Sequence, residues 1–201
     1  SILAVMIYFS EELWKMFKGL LKTYFIPTMK NADAKTFWLI VIGTIPIVIV
    51  GLLLKENGME WLRSTKIIGW TILGYGLLLF VADKFGMTIR KINHLSPLDA
   101  FLIGCAQCLA LIPGTSRSGV TITMARFLSM ERREAAKFSM LLSIPAIIAA
   151  ASLVAFELYQ QENLAAVAET IDGITYSFIS SIIAIYIVMW WLKKSTFLPF
   201  V

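Results

Sequence analysis

The chain has 201 residues, of which 58% are hydrophobic and 15% are charged, and its mean hydropathy is +0.77. Soluble domains have about 45–50% apolar and about 25% charged residues, so this composition excludes soluble, disordered, collagen-like and disulfide-scaffold proteins and predicts an integral membrane protein. The net charge of +5 comes from 18 Lys and Arg against 13 Asp and Glu. In a membrane protein such an excess is typical of basic cytoplasmic loops, so we expect no nucleic-acid partner.

Apolar stretches recur along the whole chain at lengths that suit membrane helices. A hydrocarbon core of about 30 Å needs roughly 20 helical residues, and runs this long and uniform favour helices over barrel strands. We predict one transmembrane domain over 1–201, an all-α polytopic helical bundle. Its spans are predicted at about 36–54, 67–82, 138–156 and 174–192, with part of a further span at 1–9. Glycines at 69, 74 and 76 suggest close helix packing.

The positive-inside rule orients these spans. Basic residues concentrate in four segments that we therefore predict to be cytoplasmic: 10–35, 83–97, 126–137 and 193–194. Segment 157–173 has four acidic residues and no Lys or Arg, so it is predicted to lie outside. The same topology also places segment 55–66 outside, although it has three basic residues.

Residues 98–130 lie between two segments that are both predicted to be cytoplasmic, so they must enter and leave on one side or cross twice. Helices over 98–112 and 122–130 would be about 22 Å and about 14 Å long, too short to cross comfortably. We predict a re-entrant helix–loop–helix with its tip buried in protein or beside a watery cavity, where irregular backbone is tolerated. Its first helix has start signals at Ser96, Pro97 and Asp99.

Arg117 is the one basic residue, of 18, that lies neither in a loop nor at the end of a span. An arginine at membrane depth costs about 2.5–3.5 kcal/mol on insertion scales, and such a residue is a candidate functional site. The alternative is an ion pair that locks two helices. Asp99 is the only acid in the same apolar stretch, and it lies at the far end.

The residues around Arg117 favour an anion site. Gly114 and Gly119 permit tight turns and close approach of backbone N–H groups to a ligand. Hydroxyl groups follow at Ser116, Ser118 and Thr121, and a helix predicted to begin near Gly119 would direct its N-terminus at the loop. The planar arginine fork matches phosphate oxygens. Together these features predict a phosphate cradle.

In the residues around Arg117 and in its flanking segments, the chain resembles the undecaprenyl-diphosphate phosphatases, also called bacitracin-resistance proteins. The central motif comprises Gly104, Gln107, Ala110, Pro113, Gly114, Ser116, Arg117, Ser118, Gly119 and Thr121. It is supported by Ala136, Phe138, Ser139, Leu141 and Pro145, by the opening Ser1–Val5, and by Phe197–Phe200. The resemblance extends across the full chain.

The resemblance implies hydrolysis of undecaprenyl diphosphate to undecaprenyl phosphate in the bacterial plasma membrane, which recycles the lipid carrier for peptidoglycan synthesis and confers bacitracin resistance. It also implies an inverted-repeat fold with two re-entrant loops. In the matching motif, Ser116, Arg117 and Thr121 belong to the diphosphate site and are our predicted catalytic residues. The predicted substrate-binding residues are Gly114, Thr115, Ser118, Gly119 and Gln107. For Gln107, an interhelical hydrogen bond and support of the loop are both open readings.

The family's first re-entrant segment, with a Glu-x-x-x-Glu helix and a Pro-x-Ser-Ser-x-x-His loop, has no match in residues 1–201. We expect it, together with the ligands of a divalent cation (Mg²⁺ or Ca²⁺), to precede Ser1, and a further helix to follow Val201. No metal ligand is predicted in this chain, and Ser116 and Ser118 have no neighbouring base in sequence. The expected partners are undecaprenyl diphosphate and membrane lipid, and a homodimer is left open.

Two other functions are weighed against hydrolysis. A transporter or flippase for lipid-linked phosphates would use the same broken-helix architecture without hydrolysis. A lipid phosphatase of the acid-phosphatase superfamily would need a histidine six residues after Arg117, where this chain has Thr123.

Overall fold

A computed structural model describes residues 1–57, 64–160 and 165–200, and these contain helices and short 3-10 turns but no β-strand. The helices are α1 (Ile2–Tyr8), α2 (Ser10–Lys22), α3 (Ala32–Asn57), α4 (Thr65–Phe85), α5 (Pro97–Cys108), α6 (Arg117–Phe127), α7 (Arg132–Gln160) and α8 (Ala165–Trp191). The 3-10 turns are Ile92–His94, Leu109–Leu111 and Leu198–Phe200. The chain is an all-α integral membrane protein.

Four helices are long and apolar enough to cross a membrane, over Ala32–Leu54, Thr65–Phe85, Arg132–Leu153 and Gly173–Trp191. They coincide with the four complete spans predicted from the sequence, which confirms the helices there. The helices α3, α4 and α7 also begin before the predicted bounds, because hydropathy marks the hydrocarbon layer whereas backbone hydrogen bonds continue into polar residues.

Two of the predicted loops include residues that lie outside the described ranges. Segment 55–66 includes residues 58–63, and segment 157–173 includes residues 161–164, all of which lie outside the described residues. The rest of 157–173 is helical, as the end of α7 and the beginning of α8. The prediction of a loop over that whole segment is therefore wrong.

Helices α3 and α5 lie side by side and run in the same direction. Near their starts, Lys35 Nζ donates to Asn93 O at 2.8 Å. Further along, a Cβ atom built on Gly104 would overlap the backbone of Gly43, so the two helices touch through their main chains. Close packing was predicted instead at Gly69 and Gly74 of α4, where a Cβ would meet nothing within 4 Å. That prediction is wrong for these two glycines, because none of the described residues packs against α4 at either position.

The predicted start of α5 is confirmed by its capping contacts. Ser96 Oγ accepts from Asp99 N at 3.1 Å, and Asp99 Oδ2 accepts from Ser96 N at 2.7 Å, while Pro97 occupies the first helical position. Arg90 also forms an ion pair with Asp99 at 2.6 Å. Burial disfavours the charged carboxylate, but the hydrogen bonds from Arg90 and Ser96 outweigh it and hold the pKa of Asp99 below its ordinary value.

Arg126 was assigned to a cytoplasmic loop, and the structure places it instead in the last turn of α6, fully buried. Its guanidinium donates to the carbonyls of four residues and to one hydroxyl: Asp83, Gly86, Met87, Met130 and Thr88 Oγ1. Its Nε lies 3.2 Å from Asp83 Oδ1 as an ion-pair contact. Arg126 therefore fastens the end of α6 to the end of α4.

Candidate active site

The segment between α5 and α6 is a tight turn that begins the candidate site. Thr115 N donates to Ile112 O at 3.1 Å, with Pro113 and Gly114 at the two central positions. Gly114 has a φ of +87°, a value that L side chains rarely adopt. Proline followed by a positive-φ glycine is the signature of a type II turn. The tight turn predicted at Gly114 is confirmed.

Helix α6 begins directly after this turn and directs its N-terminus at it. Ser116 is the N-cap, and its Oγ accepts from Gly119 N at 3.2 Å. The helix therefore begins at Arg117, two residues before the start predicted near Gly119 and five before the predicted helix over 122–130, and Gly119 is helical rather than part of a turn. Ser116 Oγ already accepts from the Gly119 N–H, and the N–H groups of Ser116, Arg117 and Ser118 have no carbonyl partner among the described residues.

Arg117 stands at this helix N-terminus, and its guanidinium reaches towards α7. Nη1 donates to Ser143 O at 3.3 Å, which is its single hydrogen bond within the described part of the chain. No carboxylate lies within ion-pair distance of it among the described residues, and Asp99 is occupied by Arg90. The helix-locking alternative therefore has no partner in this part of the structure. Most of the guanidinium fork is free for another acceptor.

Gly114, Ser116 and Ser118 are exposed around Arg117, and the two serine Oγ atoms lie 3.4 Å apart. The predicted hydroxyl donor Thr121 lies instead on the inner side of α6, where it is 1% exposed. Its Oγ1 lies 2.6 Å from Ser139 Oγ of α7. The structure thus brings two of the three predicted hydroxyl groups to the exposed turn and directs the third into the α6–α7 contact.

Two further predicted residues have buried polar atoms without a partner among the described residues. Gln107 is fully buried, and neither its Nε2 nor its Oε1 has a hydrogen bond there. Thr115 Oγ1 is also buried and has no hydrogen-bond partner among the described residues. The described contacts of Gln107 thus include neither the interhelical hydrogen bond nor a hydrogen bond to the loop.

Helix α4 supplies a contact to the turn that the sequence did not predict. The Thr71 hydroxyl hydrogen is shared between Ile68 O at 2.9 Å and Pro113 O at 3.1 Å. A Cβ on Gly114 would lie 2.6 Å from Thr71 Oγ1 and 2.9 Å from Ile68 O, so the turn is packed against this helix. The sequence around Thr71 does not predict this contact, because Pro113 is 42 positions away along the chain.

The chemistry of these groups suits an anion and does not by itself suit a cation. The described turn presents a guanidinium, hydroxyl groups and free N–H groups, whereas Mg²⁺ and Ca²⁺ prefer carboxylate and carbonyl oxygens. No group of three His, Cys, Asp or Glu side chains that could hold a metal occurs in the described ranges. The divalent cation stays a prediction.

The resemblance agrees with a comparison of the chain with known protein families. The family described as "Bacitracin resistance protein BacA" matches residues 1–201. The chain belongs to this family.

Curated relatives of this BacA-family chain cover almost all of it. Undecaprenyl-diphosphatase 1 of Rhodospirillum rubrum is 41% identical over 199 residues, which are 98% of this chain and 70% of the relative. Undecaprenyl-diphosphatases of Roseobacter denitrificans and a Nocardioides species are 39% and 37% identical, covering 100% and 98% of this chain and 75% and 73% of those relatives. The family predicted from the Gly104–Thr121 motif is confirmed.

Proposed function

We propose that this BacA-family chain hydrolyses undecaprenyl diphosphate to undecaprenyl phosphate and inorganic phosphate. The reaction recycles the lipid carrier for peptidoglycan synthesis and confers resistance to bacitracin. The observation that carries the proposal is the unpaired fork of Arg117 at the N-terminus of α6, beside exposed hydroxyl groups. The names of its relatives support the same reaction, and nothing in the described structure favours the transporter alternative.

In the proposed reaction, Arg117 binds non-bridging oxygens of the terminal phosphate. The bond from the terminal phosphorus to the bridging oxygen breaks, and the oxygen of a water molecule bonds to that phosphorus. One water proton stays on the released inorganic phosphate, the other passes to solvent, and undecaprenyl phosphate leaves with the bridging oxygen. Negative charge on the phosphoryl oxygens and the bridging oxygen has to be stabilised during this transfer. A guanidinium with one hydrogen bond to the described residues can offer its other N–H groups bidentately to those oxygens.

The helix N-terminus adds to this stabilisation. The free N–H groups of Arg117 and Ser118 and the positive end of the α6 dipole point in the direction from which an anion approaches the turn. Ser116 and Ser118 are exposed and supply hydroxyl donors, whereas we assign Thr121 the role of holding α6 on α7 through Ser139. Gly114 lets the turn approach a ligand without a side chain in the way.

The described turn has no carboxylate ligand for a divalent cation, so none of its residues is assigned to holding one. We place the helix–turn–helix of α5 and α6 in the membrane as a re-entrant pair, because helices of 12 and 11 residues are about 18 Å and about 16 Å long, short of a bilayer core of about 30 Å. The protein is a multi-pass membrane protein, and we assign it to the bacterial plasma membrane.

The test is phosphate release from undecaprenyl diphosphate by full-length protein in detergent, comparing Arg117→Ala with wild type. We expect a loss of about 10²–10³-fold, the size found when a preorganised donor is removed from a reaction centre. Arg133→Ala, which removes an exposed arginine at the start of α7, is the matched control and should keep wild-type activity. Near-normal turnover by Arg117→Ala would contradict the proposed role. Absence of phosphate release by wild type would contradict the function itself.

A further inference from the structure

An apolar groove lies along α4 and includes Thr71, the residue that donates a hydrogen bond to the turn at Pro113 and Gly114. The groove has a volume of about 590 Å³ and is lined by Ile67, Trp70, Thr71, Gly74, Tyr75 and Leu78. From Ile67 to Leu78 it follows the helix for about 16 Å. Thr71 belongs to both features, since it lines the groove and donates to Pro113 O of the turn. Thr71 therefore joins the groove to the turn that precedes Arg117.

We propose that this groove binds the part of the isoprenyl tail that lies next to the diphosphate, an inference that rests on the proposed function. The tail is covalently attached to the diphosphate, so a tail site must begin where the phosphate site ends. The lining meets this condition through Thr71 and is otherwise apolar and aromatic. Arg117 and the turn recognise the charged end of the substrate, and α4 recognises the isoprenoid.

The shape of the groove suits a branched chain. Gly74 leaves open space, since a Cβ there would meet nothing within 4 Å, and Trp70 and Tyr75 contribute aromatic rings to the lining. Methyl branches of an isoprenoid fill such a gap better than a straight acyl chain does. Lipid tails are as apolar as the groove, so selectivity comes from these packing contacts rather than from removal of apolar surface from water.

Helix α4 also provides a matched control on its opposite side. A second apolar groove, of about 240 Å³, is lined by Gly69, Ile72, Leu73 and Leu77 and does not include Thr71. Gly69, like Gly74, has open space where a Cβ would be. Leucine substitutions at 69 and 74 thus change the same helix equally, and only the one at 74 fills the groove that reaches the turn.

The experiment measures KM and kcat for undecaprenyl diphosphate in full-length wild type, Gly74→Leu and Gly69→Leu. We expect Gly74→Leu to raise KM roughly fivefold to tenfold, as loss of a handful of dispersion contacts predicts, with kcat within about twofold of wild type. Gly69→Leu should match wild type in both constants.

Other outcomes overturn the proposal. Equal behaviour of both variants indicates that bulk lipid covers both grooves. A fall in kcat of Gly74→Leu without a change in KM indicates an effect on the turn. A loss of folded Gly74→Leu protein, with normal activity per folded molecule, indicates that another protein segment packs there.

A second pair of variants keeps the test valid if leucine at 74 does not fold. Trp70 and Ile72 are 74% and 58% exposed, so their truncation to alanine removes little packing. Trp70→Ala should raise KM and Ile72→Ala should not, and equal KM values for the two contradict the tail site. If wild type releases no phosphate, the proposed function fails. If wild type is active and the groove variants are unaffected, only the tail site fails.

Discussion

Arg126 and Arg117 lie nine positions apart in α6, and their surroundings predict opposite consequences of the same substitution. The fully buried Arg126 guanidinium donates to four backbone carbonyls and the Thr88 hydroxyl, beside the carboxylate of Asp83. Arg117 donates to one carbonyl of the described protein, at 3.3 Å. Arg→Lys keeps the charge at either position and replaces a five-donor fork with a three-donor ammonium.

The structure sets the size of the effect at Arg126. A lysine there can satisfy at most three of the five acceptors, so at least two lose their donor. A hydrogen bond to a charged group contributes about 1.5–3 kcal/mol, which makes the expected loss of stability at least about 3 kcal/mol. For a chain of this size that corresponds to a decrease in Tm of about 6–12 °C. At Arg117 the corresponding loss is at most one such hydrogen bond, no more than half of the loss at Arg126 on the same scale.

Thermal unfolding of full-length protein in detergent, followed by tryptophan fluorescence, compares wild type, Arg126→Lys and Arg117→Lys. Arg133→Lys, at an exposed position, controls for a general effect of the substitution. The reasoning is refuted if Arg126→Lys lowers the Tm no more than Arg117→Lys does, because the buried fork would then contribute nothing that an ammonium cannot.

Two further predictions follow from the turn and from the start of α5. Gly114→Ala should lower both the thermal stability and the rate of phosphate release. Positive φ costs an L residue about 1–2 kcal/mol, and the new Cβ would meet Thr71 and the Ile68 carbonyl. A Tm and a turnover equal to those of wild type would contradict this packing. The pKa of Asp99 is lower in the folded state than in the unfolded state, where it is about 3.9. The ion pair with Arg90 therefore stabilises the fold above about pH 3.9, and this stabilisation is lost as the pH falls through the folded-state pKa. Asp99→Asn should therefore have a lower Tm than wild type near neutral pH and a smaller decrease in acid, and parallel Tm curves would show that Asp99 does not titrate in this way.

Much of the site could be read from local sequence because its geometry is local. The turn depends on Pro113 and Gly114, which are adjacent, and the caps of α5 and α6 depend on serines three residues from their partners. Hydropathy likewise located the long helices, since a run of apolar residues needs no knowledge of its neighbours. The start of α6 was misplaced by two residues, because Ser116 was interpreted as a ligand donor and not as a cap.

Other features depend on which helices come together. The sequence predicts Thr121 as a ligand donor, whereas the structure places Ser139 of α7 against it. The sequence also predicts close packing at Gly74, where a Cβ would meet no described atom within 4 Å. The contact of Thr71 with the turn joins positions 42 apart. Sequence periodicity indicates that a face is apolar but does not indicate what covers it.

The sequence by itself determined that this is an all-helical membrane protein of the BacA family with a tight turn before Arg117, because composition, local turns and a long motif are properties of adjacent residues. Only the tertiary structure showed that the two arginines of α6 have different surroundings. The end of α4 and the residues after it bring the carbonyls of Asp83, Gly86 and Met87 to Arg126, whereas the Arg117 guanidinium meets one carbonyl of α7 among the described residues. A charge is held by the acceptors around it, and chain packing determines where those acceptors lie.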